Sequence, residues 1–361
     1  MLGARLAISE TAQRWAPVLF AFTVGVATAA YSLSLDAFPD FIVFWTAARH
    51  AADPLLYDSA HLTALQAWMP GPGPRPFIYP PTFLLLAWPF GLLPALPAYM
   101  AWAGLSCAAL TLAAQQIVRP PWATLLLPLC LPTLVALGYG QATPFAAAAL
   151  IAGAAQQARR PQLAGVLIAA AACIKPQLMI LSPVLLIGDG RALRAAILAG
   201  CAMVIASLAF GPSHWLAWIE ALPRFQAAVR QMPLKLINPL DPRLGPAAKA
   251  VVIGCGVGFA LWCARRSPAE RVAGVIAGSL CCTLYAGRAD LVALAPSALA
   301  WILAGRTAAD WLRRIGGLAL VGGMIGSPIG VVALMSLMAA AGLWPAQVDP
   351  LRPEQTADAT A

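Results

Sequence analysis

Carboxylates are scarce in this chain, and several of them are gathered in one short segment. The chain has 14 acidic residues among 361, and four lie between residues 36 and 58. Asp40 is the strongest candidate for chemistry because the aromatic run FIVFW follows it directly. An acid beside bulky apolar side chains, at the edge of the hydrocarbon, can have a raised pKa and act as a general base toward a hydroxyl. The alternative is that Asp40 caps the following helix, and the two roles are compatible.

The other acids of the segment have simpler interpretations. Asp36 is a rival base, although the intervening proline prevents it from sharing one continuous helix with Asp40. Asp53 and Asp58 are interpreted as turn and helix-capping residues. Two histidines, His50 and His61, occur in the same segment, but few other ligands accompany them. We therefore expect no metal site and no cofactor.

A cation lies between two apolar stretches in the sequence CIKPQL, which contains Lys175 and Gln177. A cation there is costly unless it snorkels to lipid headgroups or meets an anionic partner. If residues 161–174 and 176–187 are short helices that meet on the outer side, Lys175 lies at their tip. It could then hold a phosphate as a point charge.

Two further segment junctions contain polar groups. In LYAGRADL, Arg288 and Asp290 flank a predicted helix start, where Asp290 can serve simply as a cap. In GYGQ, Tyr139 and Gln141 offer hydrogen-bonding groups, with an ordinary turn as the alternative.

The elements that must position these residues are predicted to be membrane helices. The chain is 61% hydrophobic and 10% charged, with a mean hydropathy of +0.77. Apolar stretches such as residues 142–157 do not alternate as the strands of a membrane barrel do. We therefore predict an all-α polytopic transmembrane bundle of about ten to thirteen spanning or half-spanning helices. The predicted segments are 15–35, 79–94, 96–118, 121–138, 141–157, 161–174, 176–187, 191–211, 247–264, 269–285, 288–304 and 315–343.

The predicted organisation is one transmembrane domain, residues 1–345, followed by a polar, disordered tail, 346–361. The first apolar stretch is interpreted as a spanning helix and not as a removed signal peptide. Arg5 and Arg14 place the N-terminus in the cytoplasm. Arginines between the later segments fall on one side if 161–187 is a pair of short helices, which places two long loops, 36–78 and 212–246, outside. That assignment requires one segment before residue 157 not to cross. The weakest is 79–94, which is short and interrupted by Pro89.

The first long loop is expected to contain interfacial helices. Phe41, Phe44, Trp45 and Ala48 form an i, i+3, i+4, i+7 apolar stripe after Asp40. A second short helix is predicted from Asp58 to Met69. Two such helices would cover something near the bilayer surface.

Several functional classes lose support. The net charge of +9 comes from arginines and lysines dispersed along the chain, so no nucleic-acid partner is expected. No Walker phosphate loop, dinucleotide fingerprint or nucleophile elbow occurs. The eight cysteines lie in apolar segments without metal spacing and are interpreted as packing residues.

Several motifs resemble glycosyltransferase family 87. They are DFIVFWTAARHAADPLLYD, FIYPPTFLLLAWPFGLLP, GYGQ, AGVLIAAAACIKPQLMILSPVLL and DLVALAPSALAWI, in this order over residues 36–304. The pieces D-F-x-x-F-W and F-x-Y-P-P are the more specific ones. Members of this family are similar to polyprenol-phosphate-mannose-dependent α-mannosyltransferases of the GT-C class, which are integral membrane enzymes.

The resemblance implies an inverting transfer of a hexose, by default mannose, from a polyprenyl-phosphate sugar to a lipid or glycan acceptor. Asp40 would be the catalytic base, in the first extracytoplasmic loop. Positive charge for the leaving phosphate would come from Lys175, Arg288 and Arg75. The sugar or acceptor pocket would be lined by Tyr57, Tyr79, Gln141 and Gln177. The protein is then expected as a multi-pass protein of the inner (plasma) membrane, with membrane lipids around it.

Two other functions remain open at this stage. A transporter or flippase of lipid-linked sugars would share the apolar grooves and the basic residues. It would more often show internal symmetry and acids within helices. A non-catalytic membrane protein would need neither Asp40 nor the position of Lys175.

Overall fold

A computed structural model of the protein describes residues 10–34, 40–69, 76–231, 245–283 and 287–303. This part of the chain is helical and contains no β-strand. Short 3-10 turns join or extend many of the helices. The α-helices are α1 (Glu10–Ser34), α2 (Phe41–Arg49), α3 (Ser59–Leu65), α4 (Leu84–Gly91), α5 (Ala95–Ala114), α6 (Leu131–Tyr139), α7 (Thr143–Gln156), α8 (Pro161–Ile174), α9 (Gly190–Ser207), α10 (Ser213–Gln231), α11 (Pro246–Cys263), α12 (Pro268–Cys282) and α13 (Ala295–Leu303).

Four of these helices are long and apolar enough to cross a membrane, namely α1, α5, α9 with the turn after it, and α11. A fifth span results if the 3-10 helix Pro121–Leu129 and α6, bent by 59° at their junction, are counted together. The all-α polytopic architecture predicted from composition is therefore confirmed. Several predicted segments are half-length elements instead of full spans, among them α7 and α8.

One predicted helix is absent. Residues 176–187 form two 3-10 turns, Pro176–Leu178 and Ser182–Leu186, instead of a short α-helix. Each turn contains a proline at its start, and proline lacks the N–H that a continuing helix needs. The apolar composition of this segment suits a short helix and two 3-10 turns alike, so composition did not separate them. Lys175 therefore follows α8 but does not precede a second α-helix, so it does not lie at the tip of a helix pair as expected.

The short helix α4 stays at one end of the bundle. It has only eight residues and contains Pro89. The turn before it is hydrogen-bonded to the last turn of α8, where Thr82 Oγ1 donates to the Cys173 carbonyl at 3.0 Å. After it, the Leu93 carbonyl accepts from Trp45 Nε1 at 2.9 Å. Both flanks of α4 are therefore tied to the part of the bundle that contains α2 and the end of α8, and the expectation that this segment does not cross stays a prediction.

With α4 on one side, the bundle has two distinct ends. The Asp40 end contains Asp40, Gln141 and Lys175. At the opposite end, which we call the Arg14 end, Gln115 Nε2 donates to the Arg14 carbonyl at 2.7 Å. Gln157, just after α7, bonds both the Leu185 carbonyl and, at 3.1 Å, the guanidinium of Arg271. The arginines near these contacts share this end: Arg14, Arg119, Arg159, Arg160, Arg191, Arg265, Arg266 and Arg271.

The helix after Asp40 is buried on nearly all sides. Phe41 is fully buried and Phe44 is 3% exposed. Phe41 stacks on Tyr99 with ring centroids 5.3 Å apart, and Trp102 of α5 lies within 6 Å of both phenylalanines. The apolar stripe therefore packs α2 into a protein core.

The second long loop contributes α10, which covers the first. His214 Nε2 lies 2.8 Å from the Ala51 carbonyl, and Trp218 Nε1 donates to the Ile78 carbonyl at 3.0 Å. His214 is 1% exposed. These contacts fix the segment between α2 and α4, so the loop that contains Asp40 is held by α10 as well as by α5.

Candidate active site

A left-handed glycine places the first functional side chain. Gly140 ends α6 with φ 66°. A Cβ at this position would collide with Phe41 Cβ and lie 2.9 Å from the ring of Tyr99. Only glycine combines this backbone conformation with so close an approach to α2. The next residue, Gln141, is thereby brought beside Asp40.

Gln141 links the candidate base to a buried cation. Its Nε2 donates a hydrogen bond to Asp40 Oδ2. Its Oε1 accepts from Lys175 Nζ at 3.0 Å. Because lysine can only donate and an ionised carboxylate can only accept, these two partners fix which way the amide points.

The cation has a complete set of acceptors. Besides Gln141, Lys175 Nζ donates to Thr143 Oγ1 at 2.8 Å and to Asp290 Oδ1 at 2.6 Å. Lys175 is 3% exposed and Asp290 is 4% exposed. Three acceptors match the three N–H groups of an ammonium. A buried ion pair is tolerated only when its remaining hydrogen-bonding capacity is satisfied in this way.

Asp290 is held as firmly as the lysine. Its Oδ1 also accepts from Thr143 Oγ1 at 2.8 Å, and its Oδ2 accepts from the Gly287 N–H at 2.9 Å. The expected capping role of Asp290 is thus present, together with the ion pair. The result is a continuous polar chain, Asp40–Gln141–Lys175–Asp290, inside an otherwise apolar bundle.

Asp40 does not cap the helix it precedes with its side chain. The residue stands at the N-terminus of α2, but its side chain makes no capping hydrogen bond and instead accepts from Gln141. The side chain is partly exposed. Burial raises the pKa of Asp40 to about 6, and Lys175 and the Gln141 hydrogen bond hold it below a still higher value. A carboxylate of this kind is ionised near neutral pH and basic enough to accept a proton.

The two tyrosines expected in the pocket, Tyr57 and Tyr79, are buried, and Tyr79 lies next to Lys175. Tyr57 is 7% exposed, and its hydroxyl donates to the Tyr79 carbonyl at 2.9 Å. The ring of Tyr79 lies below Lys175, with Nζ 6.0 Å from its centroid. Burial raises the pKa of both phenols, so both remain neutral. Gln177 lies in the 3-10 turn after Lys175 and is half-buried.

Other predicted residues fall outside the described part. Asp36 and Arg75 lie outside the described residues, as do residues 304–361. Arg288 begins the 3-10 turn Arg288–Ala293 that contains Asp290, but its side chain is not among those described.

The remaining acids of the first loop act as expected. Asp58 caps α3 by accepting from the His61 N–H at 2.7 Å. Asp53 accepts from the Leu55 N–H at 2.9 Å and from His61 Nε2 at 2.7 Å. Among the described residues, no three metal-binding side chains come together.

Sequence reasoning missed Thr143 and the partner of Lys175. Thr143 looks like an ordinary residue at the start of an apolar helix. The position of Lys175 between apolar stretches left two alternatives, snorkelling to lipid headgroups or an anionic partner. The structure shows the second, and the partner is Asp290, 115 residues away. A search for a carboxylate at another segment junction would have found it.

Comparison with known families gives one match. The model of glycosyltransferase family 87 matches residues 77–292, more than half of the chain. No curated protein and no solved structure matches. The matched range includes Gln141, Lys175 and Asp290, while Asp40 precedes it.

Proposed function

Because the chain belongs to glycosyltransferase family 87, and is therefore a glycosyltransferase, we propose that it transfers a hexose from a polyprenyl-phosphate sugar to a hydroxyl group of a lipid or glycan acceptor. Mannose is the default sugar. The observation that supports this proposal best is Asp40, a partly exposed carboxylate with a raised pKa that Gln141 holds in place.

In the proposed reaction, Asp40 accepts the proton of the acceptor hydroxyl. The hydroxyl oxygen forms a bond to the anomeric carbon of the sugar while the bond from that carbon to the phosphate oxygen breaks. The electron pair of the broken bond leaves with polyprenyl phosphate, and the configuration at the anomeric carbon inverts. A base pre-oriented by a fixed partner contributes about 10²- to 10⁴-fold to such a step.

The net charge of the site indicates that the donor phosphate needs additional cations. With Asp40 ionised, Asp40, Lys175 and Asp290 sum to one negative charge, which would repel an anionic donor. Additional cations are therefore required at the donor phosphate. We assign this role to Arg288, which begins the turn containing Asp290, and to Arg75, which comes just before the segment leading to Tyr79. Guanidinium groups suit phosphate because they donate two parallel hydrogen bonds.

Lys175 has a modified role in this proposal. A direct bond to phosphate would require the ammonium to give up one of its three acceptors, most of all Asp290. We propose instead that Lys175 is a positioning residue. It orients the amide of Gln141 toward Asp40, and its charge opposes the rise in the pKa of Asp40. Asp290 and Thr143 fix Lys175 in turn.

The membrane arrangement follows from the two ends of the bundle. The arginines collected at the Arg14 end favour the cytoplasmic side. We propose that the Asp40 end faces the extracytoplasmic side of the inner (plasma) membrane, where a lipid-linked donor presents its sugar at the surface. The prenyl tail would then lie in the grooves between the apolar helices.

The test is a transfer assay in membranes that contain the protein. Radiolabelled polyprenyl-phosphate mannose and crude acceptor lipids are supplied, and labelled product is separated and counted. Wild type should form a new labelled product, and Asp40→Asn should form less by about 10²-fold or more. Asp53→Asn is the matched control, because it makes the same chemical change in the same loop at a turn residue.

Two outcomes would change the proposal. If transfer survives in Asp40→Asn and is lost in Asp36→Asn, the base is Asp36. If no polyprenyl-phosphate hexose yields a product with any acceptor, the donor class is wrong, and nucleotide sugars become the next donors to test.

A further inference from the structure

A cavity lined by apolar, polar and basic side chains lies at the Arg14 end of the bundle, away from the candidate active site. Its volume is 540 Å³, within the range of about 300–1,000 Å³ that is typical of small-molecule sites. It opens between α1, α5, α7 and the start of the 3-10 helix that precedes α6. Its polar lining consists of Gln13, Arg14, Gln115, Gln116, Arg119 and Gln156.

The lining contains two guanidinium groups and no acidic side chain. The guanidinium of Arg14 lies 5.4 Å from the ring of Trp15. That of Arg119 donates to the carbonyl of Gln115 at the end of α5. In the described part of the chain, neither arginine forms an ion pair with a carboxylate. Both retain further N–H groups for an anion, because a guanidinium has five.

The glutamines are partly organised already. Gln115 is 8% exposed and its Nε2 donates to the Arg14 carbonyl, which ties α5 to α1. Gln156 Nε2 donates to Gln116 Oε1 at 3.0 Å, which ties α7 to α5. One N–H₂ group, that of Gln116, remains beside the arginines as a neutral donor. The cavity wall is thus formed by α1, α5 and α7, which these hydrogen bonds link to one another.

The helix ends do not cancel this positive charge. The N-terminus of α1 faces the cavity region, while α5 and α7 end there, so the three macrodipoles sum to about half a negative charge. Arg14 and Arg119 together contribute two positive charges. The cavity therefore favours an anion.

Its depth in the membrane indicates the source of that anion. Helix α5 runs from Ala95, at the Asp40 end, to the cavity; its 20 residues measure about 30 Å, the thickness of the hydrocarbon core. Two tryptophans beside the cavity, Trp15 and Trp122, are 44% and 55% exposed. Exposed tryptophans of membrane helices are typical of the headgroup region. The cavity thus lies at headgroup depth, on the face opposite to Asp40.

We propose that this cavity binds a phosphate group at the membrane surface, with Arg14 and Arg119 contacting its oxygens and Gln116 donating a further hydrogen bond. Two sources share this chemistry: the phosphodiester of an anionic lipid headgroup and a free phosphate ester from solution. The site does not depend on the proposed transferase reaction.

The test uses purified full-length protein in nanodiscs of phosphatidylcholine with added phosphatidylglycerol. Native mass spectrometry counts the phosphatidylglycerol molecules that remain bound, and calorimetric titration with glycerol 3-phosphate measures binding from solution. Wild type should bind one of the two probes saturably, more weakly at high salt. The double variant Arg14→Gln/Arg119→Gln should bind that probe at least tenfold more weakly. Arg160→Gln, which removes one exposed positive charge at the same end but outside the cavity, should bind as wild type does.

The outcomes separate the sources and the competing explanations. Retention of phosphatidylglycerol without glycerol 3-phosphate binding identifies a lipid headgroup as the ligand, and the reverse identifies a soluble ester. Equal losses in Arg160→Gln and in the double variant would overturn the proposal, because the general field of the basic end would then explain binding. Absence of saturable binding of both probes would overturn it as well.

Discussion

Lys175 and Asp290 are 115 residues apart in the sequence, and their Nζ and Oδ1 atoms are 2.6 Å apart in the bundle, almost completely shielded from solvent. This pair joins the end of α8 to the turn before α13. It also fixes the far end of the polar chain that begins at Asp40. In the proposed mechanism, stability and catalysis depend on the same two residues, and measurement can separate the two effects.

The buried pair should be costly to break from one side. Asp290→Asn leaves Lys175 charged without its counter-ion, and losses of about 3–5 kcal/mol in the free energy of unfolding are typical of such changes. The double variant Lys175→Met/Asp290→Leu removes both charges and should lose less than the sum of the two single variants. Chemical denaturation in detergent measures wild type, the double variant, its two single variants Lys175→Met and Asp290→Leu, and Asp290→Asn. Strict additivity would show that the two residues do not interact.

The transfer rate should depend on the ionisation of Asp40. Its pKa is raised to about 6, and the base acts only when ionised. We expect kcat/KM to be constant above about pH 7 and to fall about tenfold per pH unit well below pH 6. A profile that stays flat down to about pH 5 would contradict this pKa for the base.

The same shift should appear in stability with the opposite trend. Between about pH 4 and pH 6 the folded protein keeps a proton on Asp40 that the unfolded chain loses. The folded state binds more protons there, so this residue makes folding less favourable as the pH rises through that window. Asp40→Asn should remove this contribution. Thermal unfolding of the two proteins at several pH values measures the difference, and parallel curves would disprove it.

Gln141 should act through Asp40 and not on the substrate. Its hydrogen bond lowers the pKa of Asp40, so Gln141→Met should move the acidic limb of the pH–rate profile to higher pH. It should also lower kcat more than it changes KM, because the base is less well oriented. Gln177→Met changes a neighbouring amide that makes no hydrogen bond to Asp40, and it is the comparison for the position of the acidic limb alone. A limb that does not move would leave Gln141 with a purely structural role.

Gly140 should tolerate no side chain. Gly140→Ala adds a methyl group that collides with Phe41, at a φ of 66° that residues other than glycine rarely adopt. Either α2 shifts away from α5 or the GYGQ turn unwinds, and Gln141 leaves Asp40 in both cases. We expect a loss of activity together with a lower melting temperature. Gly200→Ala, in the middle of α9 where an added methyl group meets nothing within 4 Å, should preserve both.

The apolar stripe after Asp40 shows what a local sequence pattern predicts and what it does not. The stripe of Phe41, Phe44 and Ala48 correctly predicted a helix after Asp40. It did not distinguish a membrane surface from a protein core, since both require an apolar face. Trp102 and Tyr99, from a helix more than fifty residues later, decide that α2 is buried. Residues 176–187 were wrongly predicted as a short helix, because their apolar composition suits a helix and two 3-10 turns alike.

The sequence by itself determined that the protein lies in a membrane, that its fold is all-α and which family it belongs to. Apolar stretches of spanning length, scarce charges and arginines between segments follow from the cost of placing charge in hydrocarbon, which acts residue by residue and needs no tertiary contact. The tertiary structure decided which polar groups meet. Gln141, Lys175 and Asp290 lie at the ends of separate segments, and only helix packing brings them to Asp40. Electrostatic and hydrogen-bond energies depend on distances of a few ångströms, which spacing along the chain does not contain.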